Sequence, residues 1–173
     1  MELTLSRETL CFERLALSQR EQVSVEGEAT LPGSMRDAVT VLNVQAQAYL
    51  EKAEAVAGGI ALRGHVSFQA LYTQGDLTRI RAMETTCDFE HSIEAQDVLP
   101  DMRVNASVAV QETEGTAASG RMTLRALLDI QTEAFETTKQ ELVTDAAGEE
   151  NTLRTRKQTV TFCRTAPLGE EKT

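Results

Sequence analysis

Tryptophan is absent from this 173-residue chain, and the other aromatics amount to two Tyr and five Phe. A core must therefore come from Val, Leu, Ile and many Ala, which gives a thin interior with few large anchors. Positive charge is also scarce: 17 Lys and Arg stand against 27 Asp and Glu, a formal net charge of -10. Such a surface repels phosphate backbones and anionic bilayers, which argues against nucleic acid as a partner. Long apolar runs are missing too. No stretch approaches the ~20 residues of a membrane helix, so no membrane insertion is expected. The start, Met1-Glu2-Leu3-Thr4-Leu5-Ser6-Arg7-Glu8, carries acid where a secretory signal carries base, and the expectation is a cytoplasmic protein.

Cysteine and histidine are equally sparse, and their scarcity limits the chemistry. Cys11, Cys87 and Cys163 are odd in number, widely spaced and without a Cys-x-x-Cys pair, so no metal site is expected of them. They read as three reduced thiols acting as small apolar residues. The sharper alternative is an intermolecular cross-link, which needs an exposed thiol. Asn105-Ala106-Ser107 matches a glycosylation sequon but has no meaning in a cytoplasmic protein. Nucleophilic catalysis needs a base, and only His65 and His91 are available, His65 on a polar parity and His91 on an apolar one. A solvated or partner-satisfied histidine is the reading for each. No Gly-x-Ser-x-Gly elbow, phosphate loop or His-Glu-x-x-His occurs. Glu51, Glu54, Asp88, Glu90 and Glu94 could supply an acid/base pair, and Asp145, Glu149 and Glu150 a weak cation site. Excess acid alone supplies such neighbours, so these are read as solvated faces. The expectation is no enzyme, with no catalytic, cofactor-binding or metal-ligating residues and no cofactor.

What the chain does have is alternation of period two, the pattern of half-buried strands. Ile60, Leu62, Gly64, Val66, Phe68, Ala70 and Tyr72 share one parity, opposite Arg63, His65, Ser67 and Gln69. Cys87, Phe89, His91 and Ile93 repeat it. So do Val104, Ala106, Val108 and Val110, and then Met122, Leu124, Ala126, Leu128 and Ile130, where Leu127 breaks the polar face. Shorter pieces stand at Val23 and Val25 and at Val160 and Phe162. Six or more strands in one domain follow, since a chain of about 100–200 residues is commonly one domain.

The punctuation agrees with strands. Thr73-Gln74-Gly75-Asp76 reads as a hairpin, Gly58-Gly59 as the end of one run and the start of the next, and Leu99-Pro100-Asp101 and Leu31-Pro32-Gly33-Ser34 as turns. Glu114 to Gly120 reads as a flexible loop with no apolar anchor, and Ala146 to Asn151 as another. Residues 38–57 are rich in Ala, Gln, Glu and Leu and suit a long helix by propensity. Against that, Val44, Ala46, Ala48 and Leu50 alternate with Gln45, Gln47 and Tyr49, which favours a short helical turn near 35–40, started by Ser34-x-x-Asp37, and then a strand. Residues 124–136 are similarly mixed and are read as strand.

The order of these pieces resembles the SPOCS domain of spore-forming Firmicutes, a domain of spore morphogenesis and coat-associated proteins. The likeness covers an extended leader, Leu3 to Leu10, and the strand Val23-Ser24-Val25-Glu26-Gly27. It continues through the proline turn Leu31 to Val39 and the run Ile60 to Tyr72, which is similar to the family's most recognisable segment. Cys87 to Ile93 resembles its "Phe-x-x-x-Ile" strand, Pro100-Asp101-Met102 stands where Pro-Gly-Met is common, and Gly120 to Ala126 resembles its late "Arg-x-Leu-x-Val-Arg-Ala" element. The departure is at Gly33-Ser34-Met35, where members tend to have Asp-Ile after the proline. The best-known family architecture adds a LysM module that contacts the spore-coat ATPase; residues 1–173 contain no such module, so that contact is not carried over.

The expected fold is mainly β, an antiparallel β-sandwich-like domain with the short helical turn near 35–40. Residues 1–20 are expected as an extended leader packing on the domain or a neighbour, 21–165 as the β-domain and 166–173 as a disordered tail. The resemblance implies a non-catalytic module of the sporulating mother cell, acting in spore coat or forespore-surface assembly. Its implied partners are other coat or morphogenesis proteins or a second copy of itself, through contacts at sheet edges. The alternative is a β-sandwich that binds carbohydrate or a peptidoglycan fragment, and the scarcity of aromatic platforms counts against it.

Overall fold

Six strands and no helix form the regular structure of the described residues of the computed structural model, which are 4–32, 39–75, 79–147 and Arg156, Gln158, Thr159 and Thr161. They are β1 (Thr4–Thr30), β2 (Val39–Val56), β3 (Gly59–Gln74), β4 (Ile80–Glu94), β5 (Arg103–Ala118) and β6 (Arg121–Ala147). The mainly β sandwich expected from alternation is what the chain forms. It divides into two compact units, Leu15–Phe135 and the pairing of Met1–Arg14 with Glu136–Thr173.

In the Leu15–Phe135 unit two three-stranded antiparallel sheets, ordered β1-β6-β5 and β2-β3-β4, put their apolar faces together. The central strands carry most of that face, because a middle strand is flanked on both sides while its inward residues meet the other sheet. Ile60, Val66, Phe68 and Ala70 of β3 and Met122, Leu124, Ala126, Leu128 and Ile130 of β6 are all fully buried. Each large aliphatic side chain hidden this way contributes about 1.5–3 kcal/mol. Phe68 is the largest of them, and with Tyr72 and Phe89 the only other buried rings of the described residues the interior is mainly aliphatic.

At both seams the edge strands of one sheet lie against those of the other. On one side Thr113 Oγ1 of β5 donates to the Val44 carbonyl of β2 at 2.8 Å. A Cβ added at Gly115 would stand 2.5 Å from the Val44 side chain, so glycine is what lets β5 approach β2 there. On the other side Cys87 Sγ of β4 donates to the Glu26 carbonyl of β1 at 3.0 Å, and His91 of β4 meets Glu21 of β1 at 2.6 Å. Gly27 of β1 lies under the Phe68 ring and Cys87.

Three irregularities shift which residues face inward. The β2–β3 register slips between Val41 and Asn43 and between Leu50 and Lys52, and the β5–β6 register slips between Val110 and Glu112. Each extra residue exchanges the two faces of its strand. Along β2 the inward residues are Val39 and Val41, then Val44, Ala46, Ala48 and Leu50, then Ala53 and Ala55. On β5, Val104, Ala106, Val108 and Val110 give way to Thr113, Gly115 and Ala117.

Several expectations need correction. Glu114 to Gly120 is not a flexible loop: β5 runs through Ala118, and the turn is the pair Ser119-Gly120, both at positive φ (51° and 79°), as a tight hairpin with the strands' twist demands. Ala146 and Ala147 end β6 rather than open a loop, and the rest of that stretch lies outside the described residues. Of the helical turn near 35–40, Val39 and Thr40 are strand and the remainder lies outside the described residues, as do Val160, Phe162 and the tail 166–173. The segment 1–20, expected as a leader, is from Thr4 onward the first part of β1, which continues unbroken past residue 20.

Outward-facing charges align β1 with β6. Arg20 grips both oxygens of Asp129, Arg125 donates to Ser24 at 2.7 Å, and Arg121 faces Glu28 at 3.6 Å. The Arg20 guanidinium, through these hydrogen bonds, holds the Asp129 carboxyl below the ordinary carboxylate range, with Gln111 adding a further donor. A carboxyl whose folded pKa is depressed stabilises the fold fully above its unfolded value, near 3.9, and loses that contribution as pH falls through the folded value. Asp129→Asn is therefore expected to lower the urea midpoint at pH 7. The gap to the parent protein should close as the pH is taken below about 4.

Gly64 gives a second expectation. Its missing Cβ would stand 2.1 Å from the Tyr49 carbonyl and 2.9 Å from the Phe89 ring, which lies over it from the paired position on β4. Gly64→Ala cannot be absorbed by side-chain motion, because the nearest atom is backbone. It is expected to cost about 2 kcal/mol or more, read as a lowered melting temperature and denaturation midpoint.

Candidate functional site

The residues that sequence reasoning singled out for chemistry are distributed over two faces and two units. His65 points outward from β3. Its Nδ1 lies 2.9 Å from Glu51 Oε1, and its ring stacks on Tyr49 with centroids 5.0 Å apart and planes inclined by 25°. His91 points inward from β4 to the half-buried Glu21 on β1. The two histidines therefore share no site. Each has a carboxylate partner, one of the two states, solvated or partner-satisfied, expected of them.

Nor do the five carboxylates gather in a cleft. Glu51 is taken by His65, Glu54 pairs with Lys52 at 2.8 Å, and Glu90 faces Arg63 at 3.7 Å. Asp88 stands opposite His65 in the β3–β4 register, and Glu94 opposite Gly59 at the end of β4. Among the described residues no group of three or more His, Cys, Asp or Glu is placed to hold a metal ion. Of the proposed cation trio, Glu149 and Glu150 lie outside the described residues. Glu51, two residues after Tyr49, shares the face of Tyr49 and His65 by plain alternation, and the bulge between Leu50 and Lys52 brings Lys52 and Glu54 to that face as well.

The outer face of the β2-β3-β4 sheet is thus a ruled surface whose rows follow the register. Gln47, Ser67 and Thr86 form one row, Tyr49, His65 and Asp88 the next, and Lys52, Arg63 and Glu90 the one after. Beside the last row lies a shallow depression of about 210 Å³ lined by Lys52, Glu54, Arg63, Glu90 and Ser92 among others. Tyr49 is 42% exposed on this face, on the edge strand β2. Sequence reasoning placed Tyr49 and His65 on the polar parity but had no means of pairing them, since their contact depends on the β2–β3 register.

The second surface belongs to the other unit. β6 continues past Phe135 to Ala147, while the β5 ladder ends where Arg103 pairs with Phe135, its guanidinium 4.4 Å from the ring centre. From Glu136 onward β6 is accompanied by β1, with Arg14 on Glu136 at 2.6 Å, Arg7 on Glu141 at 3.4 Å and Thr144 Oγ1 donating to the Ser6 carbonyl at 3.4 Å. Partners rise along β1 as they fall along β6, so the pairing is antiparallel. Among the described residues no third strand extends this ribbon, and Leu5 and Val143 on it are exposed, Val143 by 56%. Among the described residues no helix is long and apolar enough to cross a membrane.

The cysteines fall into different environments. Cys11 is exposed on the ribbon, whereas burial, followed by the charge of Asp88, pushes the Cys87 thiol up and keeps it protonated at neutral pH. Cys163 lies outside the described residues. With a limiting amount of iodoacetamide, peptide mass spectrometry is expected to find Cys11 alkylated well before Cys87; equal rates would contradict the burial of Cys87.

Comparison with known proteins adds one finding. The family described as SipL, SPOCS domain, matches residues 37–117, the stretch from just before β2 to the penultimate residue of β5. No curated protein and no solved structure matches the chain.

Proposed function

We propose that this chain, which belongs to the SPOCS domain family through residues 37–117, is a non-catalytic structural module that works by binding other proteins. The family is a sporulation-related one, and the proposed setting is the mother cell, at the forespore surface or in the assembling spore coat. The ribbon of β1 and β6 beyond Arg14 and Glu136 carries this reading. Among the described residues this ribbon has two strands and no fully buried apolar side chain, an arrangement that is marginal by itself, and an added strand supplies further backbone hydrogen bonds with little demand on sequence. Inside the sandwich unit, by contrast, Thr113, Gly115, Cys87 and His91 close the seams at which edge strands meet. Partner contact is accordingly assigned to the ribbon, where exposed Leu5 and Val143 add apolar area. The partner is another coat or morphogenesis protein or a second copy of the chain.

A fluorescent fusion followed through sporulation tests this. The expected outcome is a signal confined to sporulating cells and gathered at the forespore surface. Leu5→Lys with Val143→Lys should disperse that signal without changing the melting temperature of the purified protein by more than a few degrees. Uniform fluorescence in vegetative cells, or undisturbed localisation of the double variant, would overturn the proposal.

A further inference from the structure

From the outer face of the β2-β3-β4 sheet we infer a carbohydrate-binding site, centred on the Tyr49–His65 stack, for a neutral oligosaccharide of pyranose units. It is separate from the ribbon and stands or falls independently of the protein-binding role. A pyranose has a face of C–H bonds and a rim of hydroxyls. The first lies well against an aromatic ring, and the second is held by carboxylates, amides, imidazole and guanidinium groups that donate and accept at fixed angles. Tyr49, 42% exposed as a residue, offers a ring braced by its stack with His65, centroids 5.0 Å apart. Bracing matters, because a ring already held in place loses little freedom when a ligand settles on it.

The polar groups around that ring suit hydroxyls. An ionised carboxylate only accepts, so His65 Nδ1 donates to Glu51 and its Nε2 remains for a ligand hydroxyl. Asp88 stands in the same row, one strand further, and Gln47, Ser67 and Thr86 occupy the neighbouring row. Strands lie about 4.8 Å apart, close to the length of one sugar unit, so the row across three strands accommodates an extended chain rather than a single buried ring. On the opposite flank the depression of about 210 Å³ carries both signs of charge, Lys52 and Arg63 against Glu54 and Glu90. Mixed charge within a chain of net -10 disfavours a polyanionic ligand and leaves a neutral, hydroxyl-rich one.

The chain reports on this site by itself. It has no Trp and two Tyr, and the other, Tyr72, is buried on the opposite face of β3, so tyrosine emission follows Tyr49. The full chain would be titrated with β-linked hexamers of glucose and of N-acetylglucosamine, with tyrosine fluorescence and amide chemical shifts recorded together. The expected result is saturable binding of at least one hexamer with Kd below about 1 mM, and shifts confined to the rows around Tyr49. Tyr49→Phe should bind within about threefold of the parent, and Tyr49→Ala and His65→Ala at least about tenfold more weakly. His65→Ala guards against the case in which Tyr49→Ala does not fold. Binding of neither hexamer, shifts that map to the ribbon, or unchanged affinity in the folded alanine variants would each overturn the inference.

Discussion

The structure depends on how closely two sheets can approach when almost nothing large stands between them. Among the described residues Phe68 is the largest fully buried side chain, with Tyr72 and Phe89 buried beside the aliphatic residues of β3 and β6, and the depth of the interior is set mainly by Leu, Ile, Val and Ala. Dispersion and the exclusion of water reward close approach and penalise gaps. The chain meets that demand with small residues at the points of nearest contact. Gly27 sits under Phe68, and Gly115 against Val44 and Val41. Larger side chains at these places would hold the sheets apart and open voids along β3 and β6.

Closing the seams has a consequence for function. Edge strands are where β-proteins pair with other chains, and here the edges inside the sandwich unit are engaged by the opposite sheet through Thr113, Cys87 and the His91–Glu21 pair. The two surfaces left for recognition differ in kind. The ribbon offers backbone and scattered apolar side chains, suited to adding a strand. The outer face of β2-β3-β4 offers side chains alone, with one aromatic ring set among hydroxyl, amide and charged neighbours. Function in this chain therefore divides between a backbone surface and a side-chain surface, carried by different compact units.

The legible part of the fold was the unbroken strands. Ile60 to Tyr72 alternates without interruption, and Met122 to Ile130 keeps its inward parity despite Leu127 on the other face, because the central strands have no extra residue; both were placed correctly, inward parity included. The ambiguous segment 38–57 and the misread stretch Glu114 to Gly120 coincide with irregularities, whereas 124–136, also mixed, pairs without one. Residues 38–57 suit a helix by their Ala, Gln, Glu and Leu content, and the strand alternation that opposes it is confined to Val44 to Leu50 because Leu42 and Glu51 interrupt it on either side. Glu114 to Gly120 resembled a loop because Gln111 exchanges the faces of β5, and the residues that then face inward are Thr113, Gly115 and Ala117. A small inward residue leaves no hydrophobic signature, although at Gly115 it marks a close approach of β5 to Val44 and Val41 of β2. His91 was legible as a histidine on an apolar parity that requires a polar partner. Its partner, Glu21, stands on the inward parity of β1 beside Val23 and Val25, which is the one signal that could have named it.

Composition and alternation alone determined that the chain is β, that its interior is aliphatic and that its surface is acidic, because each follows from residue type and from neighbours two positions apart. Tertiary structure decided which strands share a sheet, where Tyr49 meets His65 and which edges are closed. These depend on register, and register is set by bulges and cross-strand contacts between residues far apart in the chain, to which a local pattern is blind.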